Sequence, residues 1–293
     1  MDRAAVALTA LVVQSAIWGL TFPLVQDAVD DLPVMSFLGY RFGAAAILAA
    51  LIFWKPLRRM SRAGVRAGFL MGIFLTGGYI FQTFGLERTT SSNAGFITGL
   101  FVVLTPLFGS LFMGHSIRRQ AWIAAGISAV GLYLLSGTGP ELHIAGDLLV
   151  LACAVSFTFH ILVTDPAVRA HDVRALLVVQ LACCGAFCLG VAALGGDLVL
   201  PEEGATWTAL VITAVFASVV GFYIQAYAQT HASPSRTALV LASEPAFAGL
   251  FAYLLKDERL AVLGWVGAAL IMTAIVTVEV VPNLRLRKPL PER

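Results

Sequence analysis

The sequence is short of charge. Asp, Glu, Lys and Arg make up 12% of its 293 residues, 59% are hydrophobic, and mean hydropathy is +0.87; a soluble domain carries about 25% charged and about 45–50% apolar residues. No polar stretch is long enough to build a separate water-soluble domain. Cysteine is scarce too: Cys153, Cys183, Cys184 and Cys188 all fall in apolar runs, which excludes the disulfide framework of a small secreted protein. No His pattern accompanies Cys183–Cys188, so no zinc site is expected and the thiols read as buried and inert. HExxH, a glycine-flanked serine nucleophile and paired aspartates are missing from the apolar runs, and Ser156 and His160, one turn apart, have no third member or oxyanion site. The chain therefore reads as a non-enzyme with no cofactor and no metal. A net charge of +2 calls for no nucleic-acid partner.

What the sequence has is apolar length. A helix crossing hydrocarbon about 30 Å thick needs about 20 apolar residues. Ten segments fit: Ala4–Val25, Val34–Trp54, Val65–Phe84, Ala94–Met113, Arg119–Leu135, Gly146–Val163, Ala175–Leu194, Ala205–Tyr227, Thr237–Leu255 and Leu260–Val281. The first follows Arg3 as a signal peptide would, but no cleavage site follows it and nine spans do, so it counts as a helix. The expected fold is an all-α integral membrane protein of ten transmembrane helices. With the N-terminus inside, the inner segments hold Arg3, Lys55, Arg58, Arg59, Arg62, Arg66, Arg118, Arg119, Arg169, Arg174, Arg236, Arg285, Arg287, Lys288 and Arg293, fifteen in all. The outer loops hold three, Arg88, Lys256 and Arg259. That bias places both termini in the cytoplasm. The basic loop KPLRRMSRAGVR also has the composition to meet anionic lipid head groups.

The two halves resemble each other. From Phe101 the chain reads FVVLTPLFGSLFMGHSIRRQAWIAAG, and from Val240 it reads VLASEPAFAGLFAYLLKDERLAVLGWVG. Each has a proline inside an apolar span, a phenylalanine two residues on, a charged turn and a Gly/Ala-rich helix. Pro106 and Pro245 lie 139 residues apart, near half the chain. With five helices per unit the second copy enters the membrane inverted, a plan of secondary transporters that bind substrate at the midplane between halves. The expected units are residues 1–139 and 140–293.

Trp18-Gly19 in AIWGLTFP, Arg41 in LGYRFGAAA, Gly146-Asp147, Glu244-Pro245 in ASEPAFAGLFAYLL, Glu258 in DERL and the run GWVGAALIMTAIV resemble the drug/metabolite transporter superfamily, specifically its EamA-type ten-helix exporters. The resemblance covers nearly the whole chain and departs from the family at His115, where the turn often carries glutamate. It implies a small-metabolite exporter in a bacterial-type inner (plasma) membrane.

Polar residues inside hydrocarbon face one another or an aqueous cavity. Cys153, Ser156, Phe157, His160 and Thr164 share one face of the sixth span. Ser218, Phe222, Gln225 and Gln229 recur at similar spacing in the eighth, beside Tyr223 and Tyr227. Gln14, Trp18 and Thr21 come from the first span, Thr76, Tyr79, Gln82 and Thr83 from the third, and Ser92, Asn93 and Thr98 from the fourth. The expected wall is Trp18, Tyr79, Gln82, Thr98, Ser156, Phe157, His160, Phe222, Tyr223 and Gln225, neutral polar groups and flat rings that suit a small zwitterion with an apolar side chain. His160 is open to three readings: substrate carboxylate ligand, proton relay, or packing on a backbone carbonyl. Arg41, about two turns inside its span, is expected to snorkel outward, the default, or to pair with an acid. Glu244 lies about 3 Å from the midplane of its span by helical rise, with Pro245 bending the helix beside it; the pair reads as a gate or proton site, or as a neutral hydrogen-bonding partner at a kink. Glycine pairs Gly39/Gly43, Gly68/Gly72 and Gly95/Gly99 read as close-packing surfaces. The leading expectation is export of amino acids, aromatic or otherwise apolar, or related metabolites by alternating access. Its rival is multidrug export of lipophilic cations through Glu244.

Overall fold

The computed structural model describes residues 3–89, 91–114, 119–135, 144–256 and 261–279. His115, Glu258, Arg118, Arg259 and the basic residues Arg285, Arg287, Lys288 and Arg293 lie outside the described residues, as do the side chains of Ser92, Asn93 and Glu279. Among the described residues every regular element is helical: α1 (Arg3–Asp31), α2 (Val34–Ile52), α3 (Trp54–Arg58), α4 (Arg62–Leu86), α5 (Ser91–Gly99), α6 (Phe101–Met113), α7 (Arg119–Leu135), α8 (Ile144–Ala170), α9 (Val173–Gly195), α10 (Gly204–Ile212), α11 (Gly221–Gln229), α12 (Pro234–Leu241), α13 (Glu244–Lys256) and α14 (Val262–Glu279), with a π-helical segment over Thr213–Val220. Helices satisfy every backbone group internally, the requirement that lipid imposes. Local chemistry sets their ends. The Ser61 hydroxyl accepts from the Gly64 amide at 3.1 Å to start α4, and the Asp172 carboxylate accepts from the Arg174 amide at 2.9 Å to start α9. Gly114 and Gly196, at φ 66° and 77°, end α6 and α9 in the left-handed conformation that glycine adopts without strain.

Among the described residues, thirteen of the fourteen helices make ten rods, because three spans are interrupted; the five-residue α3 stands apart from them. Leu100 separates α5 from α6, the π segment joins α10 to α11, and Ala242–Ser243 separates α12 from α13. Six helical stretches are each long and apolar enough to cross a membrane. The sixth rod runs further than its sequence suggests. α8 extends through Pro166 to Ala170 instead of stopping at Val163. So near the end of the helix, Pro166 removes one hydrogen bond, and Asp165 pairs with Arg169 one turn on at 2.8 Å.

The rods pack in a pattern that repeats on moving five places along the chain. α4 packs on α8, as α10–α11 packs on α1; α5 and α6 pack on α8, as α12 and α13 pack on α1; α4 meets α9, as the π segment meets α2. The pairs α2–α9 and α7–α14 map onto themselves. The contacts of the first five rods are thus matched by those of the last five, and α2–α9 forms part of the seam between the two sets. At that seam backbone meets backbone. A Cβ on Gly185 would stand 2.6 Å from the Gly43 amide nitrogen, and one on Gly39 2.9 Å from Leu189. Such close approach is what small residues permit when hydrocarbon supplies no hydrophobic drive between helices.

Gly185 and Gly190 share α9, but a Cβ on Gly190 meets nothing within 4 Å. Gly185→Ala is expected to destabilise the purified protein by about 1–3 kcal/mol through overpacking. Gly190→Ala should be neutral or stabilising by about 0.5–1 kcal/mol from helix propensity. Thermal unfolding in one detergent compares the two; equal melting temperatures would contradict a seam closed by backbone contact.

Candidate functional site

The inward faces of seven rods converge on two small adjoining cavities. The larger, about 30 Å³, is walled by Trp18 of α1, Tyr79 and Gln82 of α4, Phe101 of α6, Phe157, His160 and Ile161 of α8, Phe222 and Gln225 of α11, Leu241 of α12 and Glu244 of α13. These belong to the first, third, fourth, sixth, eighth and ninth rods. The smaller, about 20 Å³, shares Trp18, Tyr79, Gln82 and Glu244 and adds Arg41, Thr21 and Thr83. Each volume suits a single water, whereas small-molecule pockets run to about 300–1,000 Å³. A larger guest fits between these side chains only when the rods part.

Aromatic rings form much of the larger cavity's wall. Trp18 lies 5.1 Å from Phe222 between centroids, and Tyr79 meets Phe157 edge-on at 5.3 Å and Phe222 at 6.1 Å. Trp18 is fixed by the π segment. There the Gly221 amide reaches back five residues to the Phe216 carbonyl, so the Ala217 carbonyl lacks its usual donor four residues on. The Trp18 indole N–H supplies one at 2.9 Å. Its neighbour Gly19 lets α1 close on α13, since a Cβ there would stand 2.7 Å from the Ala248 amide nitrogen.

Arg41 does not snorkel. It is 2% exposed and turned inward. Nε donates to the Ser218 hydroxyl at 3.1 Å, a terminal nitrogen donates to the Tyr79 hydroxyl at 3.3 Å, and the guanidinium carbon lies 4.8 and 4.6 Å from the ring centres of Phe42 and Tyr79. An arginine too far from the interface finds hydroxyl acceptors and ring faces instead. Glu244, which lines the same cavity, is buried as well. The partner of His160 is a side-chain amide, not a backbone carbonyl or a carboxylate. Its Nε2 lies 2.8 Å from Oε1 of Gln180 on α9, an oxygen that only accepts, so Nε2 carries the proton. The ring meets Phe222 edge-on at 5.8 Å.

Four sequence-stated site residues stand elsewhere. The Ser156 hydroxyl donates to the Phe74 carbonyl at 2.8 Å and ties α8 to α4. Thr98 Oγ1 faces Cys153 Sγ at 4.0 Å between α5 and α8. Tyr223 turns away and stacks between Phe53 at 5.9 Å and Tyr227 at 6.4 Å. Pro245 points to α5, where a Cβ on Gly95 would stand 3.9 Å from it. Sequence reasoning missed Phe101, Ile161 and Leu241, indistinguishable from packing residues by type. It also missed Gln180, whose partner is twenty positions away. Gly146-Asp147 proves architectural: a Cβ on Gly146 would stand 2.6 Å from the Arg88 carbonyl oxygen, and the Thr89 hydroxyl donates to Asp147 at 2.6 Å.

Comparison with known proteins agrees with this plan. The model of the EamA-like transporter family matches twice, over residues 5–137 and 144–279. An uncharacterized transporter of Archaeoglobus fulgidus is 32% identical over 274 residues, spanning 92% of this chain and 84% of its own. The uncharacterized inner membrane transporter YedA of Escherichia coli is 24% identical, with 93% and 90% covered. A protein known from its crystal structure shares the fold at a TM-score of 0.76 with 18% identity, covering 96% of this chain and 99% of that one. The chain, an all-helical membrane transporter, belongs to the EamA-like family of the drug/metabolite transporter superfamily.

Proposed function

We propose that the protein exports amino acids with aromatic or other apolar side chains, or closely related small zwitterions, across an inner membrane. The observation that carries this reading is the smaller cavity, where the Arg41 guanidinium and the Glu244 carboxyl face one space walled by Trp18 and Tyr79. A zwitterion offers a carboxylate to Arg41 and an ammonium to a Glu244 oxygen, and its side chain meets the rings beyond. A lipophilic cation would instead be brought beside a buried guanidinium, at a cost that low dielectric magnifies. Export proceeds by alternating access. The halves, residues 1–139 and 140–293, rock about their seam and widen the cavity to either side. The excess of basic residues in alternate loops supports a cytoplasmic position for both termini.

Three expected outcomes test this reading. Reconstituted protein should exchange labelled phenylalanine or leucine, and unlabelled apolar amino acids should compete while tetraphenylphosphonium does not. Uptake of the cation without amino-acid competition would replace this function with multidrug export. Glu244→Gln keeps an acceptor oxygen but has no titratable proton; exchange should persist with an unchanged pH response, while Glu244→Ala leaves partners unsatisfied at about 1–3 kcal/mol and is slower. Loss of the response to a pH gradient in well-folded Glu244→Gln would make Glu244 the proton site instead. A cysteine at Glu87, exposed in the turn after α4, should react with an impermeant thiol reagent added outside intact cells; labelling only after the membrane is opened would reverse the orientation.

A further inference from the structure

A larger cavity lies away from the centre. At the end of the bundle where α2 stops and α4 and α9 begin, a cleft of about 790 Å³ is lined by the stretch Leu51–Ser61 on one side and the α8–α9 turn, Ala170–Arg174, on the other. Its walls thus come from both halves. Two long helices open into it at their N-termini, since the caps Ser61 and Asp172 both line it, and helix starts carry positive partial charge. The basic side chains there are unequally engaged. Arg174 is held by Asp172 at 2.6 Å, and Arg58 lies 5.3 Å above the Trp54 ring. Lys55 and Arg59 line the cleft with no carboxylate partner among the described residues. The neighbouring acid, Asp172, is thus already neutralised by Arg174.

The rim is apolar and points the same way. Leu51 is 72% exposed and Ile47, one turn earlier on α2, 65% exposed, so a ridge for an acyl chain runs up the outside of α2 from the cleft. Trp54 is half-exposed at its mouth, where tryptophan sits at a membrane interface. A cationic cleft joined to an apolar ridge matches an amphiphile with an anionic head.

We infer that this cleft binds the phosphoryl head group of an anionic phospholipid, with Lys55 and Arg59 as its cationic ligands, so that the lipid bridges the two halves beside the bilayer surface. Free phosphate has the same head-group chemistry but cannot use the ridge. The lipid is a ligand of the assembled transporter and not its cargo, because the cleft is separate from the central cavity.

The test measures phosphatidylglycerol bound to the delipidated full-length protein by native mass spectrometry, with phosphatidylcholine as the reference lipid. Phosphatidylglycerol should bind preferentially, and Lys55→Gln/Arg59→Gln should weaken it on the order of tenfold. Arg62→Gln/Arg66→Gln removes equal charge from the first two turns of α4, outside the cleft, and should leave binding unchanged. Lys55→Arg/Arg59→Lys should bind as the parent does, which separates lost ligation from misfolding. Equal weakening in both Gln doubles would reduce the effect to general surface charge and overturn the site. No weakening in either, or no preference over phosphatidylcholine, would overturn it too. Displacement by inorganic phosphate at matched concentration would overturn the lipid assignment in favour of free phosphate.

Discussion

A guanidinium sealed inside a hydrocarbon-embedded bundle constrains everything around it. With no bulk water beside it, Arg41 depends on the surrounding rods for its hydrogen-bond partners. α4 supplies the Tyr79 hydroxyl and ring, the π segment supplies Ser218, and α2 itself supplies the Phe42 face. Tyr79 in turn packs on Phe42, Phe157 and Phe222. The charge therefore organises the aromatic wall through one tyrosine, and Glu244 lines the same cavity. A transporter tolerates so costly a group where it is reached, at some stage, by water or a charged guest.

The sequence disclosed whatever depended on local periodicity. The span Arg119–Leu135 coincides with α7, and α2 starts at Val34 as expected. The kink at Glu244-Pro245 was legible too: α12 stops at Leu241 and α13 restarts at Glu244, because proline cannot donate to the carbonyl four residues back. Pro106 gave the opposite lesson. It sits inside an unbroken α6, and the interruption falls six residues earlier at Leu100. The π segment had no signal, since Thr213–Val220 holds neither proline nor glycine. Its extra-wide turn is settled by what docks on it, the Trp18 indole and the Arg41 guanidinium, from rods far away in the chain.

The candidate site divides along the same line. Helical spacing correctly grouped Phe157 with His160 and Phe222 with Gln225. It could not say how far round each helix the cavity extends. Ser156 and Tyr223 differ from those neighbours by one step of about 100°, enough to turn one onto the α4 backbone and the other onto Phe53. Arg41 was misdirected for another reason: snorkelling is the default for an isolated charge near a helix end, and hydroxyl partners from other rods are invisible along one helix.

The indole bond at Ala217 gives the protein an optical reporter of its own. Of five tryptophans, Trp54, Trp122, Trp207 and Trp265 are all more than a third exposed on the outer surface, and Trp18 is buried. Brominated acyl chains in the surrounding bilayer would quench the four and leave Trp18 emitting from a hydrogen-bonded indole. Any opening of the central space to water would then register as a red shift in that residual emission, with no label attached.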